Sequence, residues 1–313
     1  MKIIAIEPIG MSPDELSSYE KELAAQGHQF ISFPDRKEDP ETVKQRMQHA
    51  DIVIESNIPL DRDILSACPQ LKFIAVAFTG TDHIDMEYCR IQGIEVKNAP
   101  GYATTAVSEL VVALIFGLYR SIILMDNATR HGGSRGDRLG YEIKDKTAGI
   151  IGTGAIGKQT ALYLKNLGCR IVAWNRTPDP ELIKEGVQYV SFDRLMEISD
   201  IISLHLPLTP ETENIVSSDK IELCKPNAIL INTARGKLVD MPALYRALQN
   251  RKLAGAGIDV FEKEPPLPPD HPLLQAPNCI VMPHIGYATH EAFDRRIIIV
   301  MNNIRSWLKA HKA

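Results

Sequence analysis

The sequence predicts an α/β protein built from two doubly wound parallel-sheet domains, one inserted into the other. Three observations carry this. Apolar runs of strand length alternate with polar, helix-forming stretches through the first hundred residues. A second alternation of the same kind begins at Thr147 and runs to Met282. Between them Asn98-Ala99-Pro100-Gly101 breaks the pattern. Alternation of strand and helix implies parallel strands with helices on both faces. At 313 residues the chain also exceeds one ordinary core. The expected division gives 1–98 and 287–313 to one domain and 99–286 to the other.

In the first domain the strands are Ile3–Ile6, Gln29–Phe33, Ile52–Ile54, Phe73–Val76 and Ile94–Val96, with helices such as Pro13–Gln26 and Pro40–Ala50 between. A long helix follows, about Thr105 to Thr129, and it is apolar on more than one side. Such a helix is buried between domains or subunits. The polar, glycine-rich stretch from His131 to Gly136 ends it as a loop. The second domain offers strands at Thr147–Ile151, Arg170–Trp174, Ile201–Leu204, Ala228–Asn232, Ala256–Val260 and Cys279–Met282. Glu262 to Pro277 reads as a proline-rich loop, and Glu291 to Lys309 as a terminal helix.

Composition narrows the function classes. Hydrophobic residues make up 44% and charged residues 24%, the balance of a globular protein. A net charge of −4 provides no general field for nucleic acid or anionic membrane. The apolar stretch Leu110 to Leu118 is too short to span a bilayer, and the opening residues read as a strand rather than a signal peptide. Five scattered cysteines without C-x-x-C suggest reduced thiols in a cytoplasmic protein. The histidines show no metal-ligand spacing.

The strand Thr147–Ile151 runs into Gly152-Thr153-Gly154-Ala155-Ile156-Gly157, a complete G-x-G-x-x-G. Ile156, Thr160, Leu164 and Leu167 follow at helical spacing, and Gly168 stands where a C-terminal cap belongs. Gly152 permits the tight turn, Gly154 lets backbone approach a pyrophosphate, and Gly157 allows close helix–strand packing. The exposed N–H groups of the helix start face an anion. Between a buried strand and an amphipathic helix, the pattern reads as a dinucleotide site. An acidic residue about 20 positions beyond the glycines marks selectivity for NAD. Here that position is Asn175, followed by Arg176 and Thr177. A carboxylate repels the 2′-phosphate of NADP, neutral Asn175 does not, and Arg176 can pair with it. NADP(H) is therefore favoured over NAD(H).

Three polar residues stand just beyond the carboxyl ends of strands in the second domain, the edge where open α/β sheets bind ligands. Arg235 can clamp a carboxylate. His284 can exchange a proton with a carbonyl or hydroxyl near neutrality. Glu264, if hydrogen-bonded to that histidine, fixes its tautomer and favours the imidazolium.

The motifs resemble those of the D-isomer-specific 2-hydroxyacid dehydrogenases. They are Gly152–Gly157, His205-Leu206-Pro207-Leu208-Thr209-Pro210-Glu211-Thr212, Asn232–Gly236, Asp259–Pro265 and Pro283–Gly286, together with Asn98–Thr104 and Val107–Glu109. Nearest in flavour are the glycerate dehydrogenases, also called hydroxypyruvate or glyoxylate reductases. The resemblance implies a Rossmann cofactor domain inserted into a flavodoxin-like substrate domain. It implies that Arg235 holds the substrate carboxylate and polarises its carbonyl, that His284 is the acid–base with Glu264 its partner, and that Thr79 and Gly80 offer backbone N–H groups to the carboxylate. It places Asp259 near the nicotinamide amide. Along the cofactor groove it places Thr104, Ala155, Ile156, His205, Leu206, Pro207, Thr212, Thr233, Ala234 and Gly286.

The reaction expected is hydride transfer between a nicotinamide and a small 2-oxo or D-2-hydroxy acid. Two features depart from the family pattern. Ala75-Val76-Ala77 is apolar where some members carry an arginine, which argues against a phosphorylated substrate such as 3-phosphoglycerate. Ser108 and Tyr287 replace small residues. The alternatives are a phosphoglycerate dehydrogenase-like activity and a non-catalytic NAD(P)-sensing protein of the corepressor kind. A formate dehydrogenase-like activity is disfavoured because those enzymes pair the histidine with glutamine. The apolar residues of the long helix, Val107, Leu110, Val111, Leu114, Ile115, Leu118, Ile122 and Ile123, point to a homodimer.

Overall fold

The structure is a computed structural model that describes residues 1–263 and 266–311. It divides into two compact units, Met1–Ala103 with Ala288–Ala313, and Thr104–Tyr287. The first division falls five residues beyond Asn98, because Ala99, Tyr102 and Ala103 are buried with the first unit's elements.

The first unit opens with β1 (Lys2–Ala5), α1 (Pro13–Ala25), β2 (Gln29–Ser32), α2 (Pro40–Met47), β3 (Ile52–Glu55), α3 (Arg62–Ser66), β4 (Phe73–Val76), α4 (Met86–Gln92) and β5 (Glu95–Lys97). All its strands run parallel, in the order β2-β1-β3-β4-β5. That is a doubly wound order whose chain reverses direction across the sheet beside β1. The local reasons are plain in the sequence. Ser12, Asp39, Asp61 and Asp85 each cap a helix by accepting the N–H of the third residue on. Ile3, Ile52, Ile54, Phe73 and Ile74 are fully buried, as strands covered on both faces require.

The second unit holds α5 (Thr104–Tyr119), α6 (Ile122–Arg130), β6 (Thr147–Ile151), α7 (Ala155–Asn166), β7 (Arg170–Trp174), α8 (Pro180–Lys184), β8 (Gln188–Tyr189), α9 (Phe192–Ile198), β9 (Ile201–Leu204), α10 (Ser218–Leu223), β10 (Ile229–Asn232), α11 (Met241–Gln249), β11 (Gly255–Ile258) and β12 (Cys279–Val281). Its seven strands are parallel in the order β12-β11-β10-β9-β6-β7-β8. The direction of winding reverses at β6, so the crevice outside its carboxyl end is the place where such a sheet takes a ligand.

The long helix expected over 105–129 is broken. α5 ends at Tyr119, Ser121 adopts a left-handed φ of 50°, and α6 leaves at 59°. The cause lies in the returning chain. Tyr141 donates its N–H to the Tyr119 carbonyl at 2.9 Å, the acceptor that a continuing helix would offer to residue 123. The apolar face of α5 is also used inside its own unit: Val111, Leu114, Ile115 and Leu118 join the core formed with β6, β7 and β10. Val107 is buried as well, Leu110 half-buried, and only Ile122 and Ile123 of the residues singled out for a dimer are exposed. Among the described residues no single helix is long and apolar enough to cross a membrane.

The chain then returns to the first unit as α12 (His290–Ala310). Trp307 stacks on Phe73 of β4 at 5.4 Å and donates its indole N–H to Glu95 at 2.8 Å. Arg305 makes a two-point pair with Glu22 of α1. Buried Arg296 donates to the carbonyls of Ile9 and Ala77.

Candidate active site

The site residues of the second unit stand beyond six parallel strands at one sheet edge. After β6 comes the glycine turn. Gly152 has φ +93°, and a Cβ there would lie 2.8 Å from the His205 carbonyl oxygen. A Cβ on Gly157 would lie 1.9 Å from the Gly152 carbonyl oxygen. At Gly154 a Cβ would meet nothing within 4 Å, and no side chain caps the start of α7. The first N–H groups of that helix therefore face open space beside Gly154 and Ala155, both exposed. A pyrophosphate suits such a terminus. Thr233, just past β10, is 8% exposed, and its hydroxyl has no hydrogen-bond partner among the described residues. These features fit a dinucleotide.

After β9, His205 accepts or donates through Nε2 to Ser203 Oγ at 2.9 Å, and burial pushes its imidazole down to about 3. It is a neutral ring beside the glycine turn. Leu206 packs on the second unit's core. Thr212 donates its hydroxyl to the Pro207 carbonyl at 2.7 Å, closing the 207–212 loop on itself. Asn175, past β7, donates to the Thr177 carbonyl at 2.8 Å, whereas Arg176 and Thr177 are exposed. The Glu211 carboxyl is held below the usual range by Thr209, with a smaller contribution from the charge of Arg176.

Two supports escaped the sequence reading. Thr153 accepts a hydrogen bond from the Tyr189 hydroxyl at 2.9 Å, and that hydroxyl accepts from the N–H of Asp179 at 2.9 Å. The loop bearing Arg176 is so tied to the glycine turn. Ser108 on α5 donates to the Ile156 carbonyl and accepts from Thr160, both at 3.2 Å, which locks α5 to the first turn of α7. Thr104 begins α5. Spacing in sequence carries no signal for pairs 36 to 52 residues apart.

The groups expected to do chemistry follow β10, β11 and β12, which are adjacent. Arg235 is half-buried, and its turn is held from both sides: Asn232 donates to the Arg235 carbonyl and accepts from the N–H of Ala234. A Cβ at Gly236 would lie 1.9 Å from the Phe261 backbone, so only glycine lets this turn sit against the loop after β11. That loop begins with Asp259, which is 0% exposed. Its carbonyl accepts from His284 N–H, and its two carboxylate oxygens accept from Ile285 and Gly286, all at 2.8 Å. Asp259 therefore fixes the turn in which His284 adopts φ +57°. The His284 ring meets Tyr287 edge to face at 5.5 Å. Glu264 lies outside the described residues.

Thr79 and Gly80 belong to the first unit, in the loop after β4. Their N–H groups donate to no described residue.

Comparison with known proteins agrees with this geometry. Residues 112–286 match the model of the D-isomer specific 2-hydroxyacid dehydrogenase NAD binding domain. A glyoxylate reductase of Thermococcus litoralis is 41% identical over 259 residues, covering 80% of this chain and 78% of that protein. A hydroxypyruvate reductase of Blautia hydrogenotrophica is 34% identical over 316 residues, covering 99% and 97%. The solved structure of an acyclic imino acid reductase in complex with NADPH and D-Arg superposes with a TM-score of 0.89 at 31% identity, covering 99% and 98%. With its glycine turn, uncapped helix start and histidine turn explained by one chemistry, the chain belongs to the D-isomer-specific 2-hydroxyacid dehydrogenases, nicotinamide-dependent oxidoreductases of 2-oxo and 2-hydroxy acids.

Proposed function

We propose that the substrate is a small, unphosphorylated 2-oxo acid of the glyoxylate or hydroxypyruvate type, and that NADPH is the preferred cofactor. The observation that carries the chemistry is the clamp of Asp259 on the histidine turn beside the glycine-pinned turn of Arg235. A reduced nicotinamide held at the glycine turn would supply the hydride for the keto carbon. His284 gives the carbonyl oxygen its proton, and in the reverse direction takes it back. Arg235 stabilises the negative charge that develops on that oxygen, the kind of assistance such a step needs. Glu264 is assigned by family resemblance as the carboxylate partner of His284. Thr79 and Gly80 are assigned as donors to the substrate carboxylate.

Preference for NADPH is supported by exposed Arg176 on a loop braced through Tyr189, with neutral Asn175 in place of an acid. Hydrogen bonds to charged groups contribute roughly 1.5–3 kcal/mol each, enough for about a tenfold preference. The deciding assay compares kcat/KM for glyoxylate, hydroxypyruvate and a phosphorylated 2-oxo acid, with NADPH and NADH, in the wild type and Arg176→Ala. The expected result is a preference for NADPH that collapses in the variant. A wild-type preference for NADH refutes the cofactor reading. Preference for the phosphorylated acid refutes the substrate reading, and tight cofactor binding without turnover indicates a sensor.

The chain is also read as a cytoplasmic homodimer. All five cysteines are free and four are buried, as suits a reducing compartment. The surface offered to a second copy is that of α6, where Ile122, Ile123 and Leu124 are 47–54% exposed, with Leu139 and Tyr141 beyond it at 80% and 55%. Beside it a groove of about 700 Å³ is lined by Ile123, Leu124, Leu248, Leu253 and Ile280.

A further inference from the structure

The first unit carries a group of buried acids that the reaction above leaves unused. Glu7, just past β1, is 2% exposed and well compensated: it accepts from the Ser56 N–H at 2.7 Å and from the Arg36 guanidinium. Arg36 also reaches Asn57 and Glu38. Glu55, the last residue of β3, is 0% exposed and has no guanidinium or ammonium partner among the described residues. Its two carboxylate oxygens lie 3.0 and 3.1 Å from Nε2 of a single imidazole, that of His83. Burial pushes the Glu55 carboxyl up, the bond to His83 pulls it back, and the nearby charge of Glu7 adds to the rise.

His83 ends the stretch that follows β4. Its carbonyl accepts from the N–H of Leu60 at 2.9 Å, and Ala77 at the other end donates to the Glu55 carbonyl at 2.6 Å. Between them Ala99 donates to the Phe78 carbonyl at 2.9 Å and Asn98 to that of Thr79. The loop is thus tied at both ends near the β3 terminus, and between these ties the N–H groups of Thr79, Gly80 and Thr81 donate to no described residue. A buried ionisable pair is often no more stabilising than apolar residues of the same volume, but a charge-assisted hydrogen bond is short and directional.

We infer that the buried Glu55–His83 pair is the positioning device of this loop, setting the N–H groups of Thr79 and Gly80 for a substrate carboxylate. The inference rests on the proposed reading of Thr79 and Gly80 as carboxylate donors. Neither residue of the pair touches substrate; both act through the loop.

The test compares Glu55→Gln, which keeps shape and one acceptor oxygen, with His83→Gln, which keeps a donor at a side chain 12% exposed. Misplacing a binding group by an ångström or less can cost up to about 10²-fold, so KM for the 2-oxo acid should rise roughly ten- to a hundredfold. Inhibition by oxamate, a carboxylate that cannot be reduced, should weaken by the same factor. Values of kcat and the dissociation constant of the nicotinamide cofactor should stay near wild type, because the cofactor-binding loops belong to the other unit. The double variant should be no worse than the poorer single one. An unchanged KM and oxamate constant in a folded variant overturns the inference, as does an equal loss of cofactor affinity, the mark of general damage. If Glu55→Gln shows no cooperative melting, His83→Gln alone decides by the same comparison. Gly80→Pro, which removes one N–H, separates the two readings: if oxamate binds it as tightly as wild type, the carboxylate assignment itself falls.

Discussion

His284 sits in a left-handed turn that no helix or strand supplies, with its backbone N–H and the next two bound to Asp259. That arrangement separates the ring's chemistry from the fold. Replacing it by glutamine should lower kcat with a 2-oxo acid by about 10²–10⁴-fold, the usual worth of general acid–base catalysis, while leaving cofactor affinity close to wild type. Retention of most of the activity would sink the assignment. A second histidine, past β9, bears on stability instead. His205 has a folded-state pKa near 3, far below that of an unfolded chain, so between about pH 6.5 and 3 the unfolded state binds a proton that the native state refuses. Its contribution to stability is whole above that window and drains away as pH falls through it. Melting temperature should therefore drop more steeply on acidification in wild type than in His205→Asn. Parallel slopes in the two proteins would show that His205 is not protonated on unfolding in the way its burial requires.

At the scale of the element, the glycine turn makes two opposite demands that mutation can part. Gly154 has ordinary extended backbone and empty space where a Cβ would go, so Gly154→Ala should melt within a degree or two of wild type and yet bind cofactor at least about tenfold more weakly, because the methyl group stands where the pyrophosphate approaches. Gly157→Ala forces a Cβ onto the Gly152 carbonyl and should lose stability and binding together. Equal melting temperatures for both variants would undo this distinction. This turn was legible because its strand, glycines and helix are consecutive and each needs only local rules. So was the order of strands across both units, the two-residue β8 excepted, and the position of Arg235 and His284 just past their strands. The break after Tyr119 was not legible. It depends on Tyr141 reaching back to a carbonyl 22 positions away, and Ser121 carries no sequence mark of a left-handed residue. The same holds for Glu55 and His83, 28 positions apart, one ending β3 and the other in the loop that follows β4.

At the scale of the molecule, the break changes what the dimer reading rests on. The apolar side of α5 is consumed by the sheet of its own unit, so within 104–141 the uncovered apolar surface belongs to α6 and to the exposed chain that follows it. A double substitution of Ile123 and Leu139 by glutamate should leave monomer melting nearly unchanged and convert a dimeric mass at micromolar concentration to a monomeric one. A wild-type monomer, or a variant that stays dimeric, would remove α6 from the interface.

The first unit is closed by a helix that is made only after the whole second unit. Trp307 covers Phe73 and Arg305 grips Glu22, but the whole second unit, Thr104–Tyr287, is synthesised between these partners. At about 5–20 residues per second, the nascent first unit waits on the order of ten seconds or longer with β4 uncovered on that side. The inserted unit, being one continuous stretch, can complete its sheet during this delay. Newly made chains are then most open to chaperone capture at the first unit, and a stop codon before α12 leaves that unit without its cover for good.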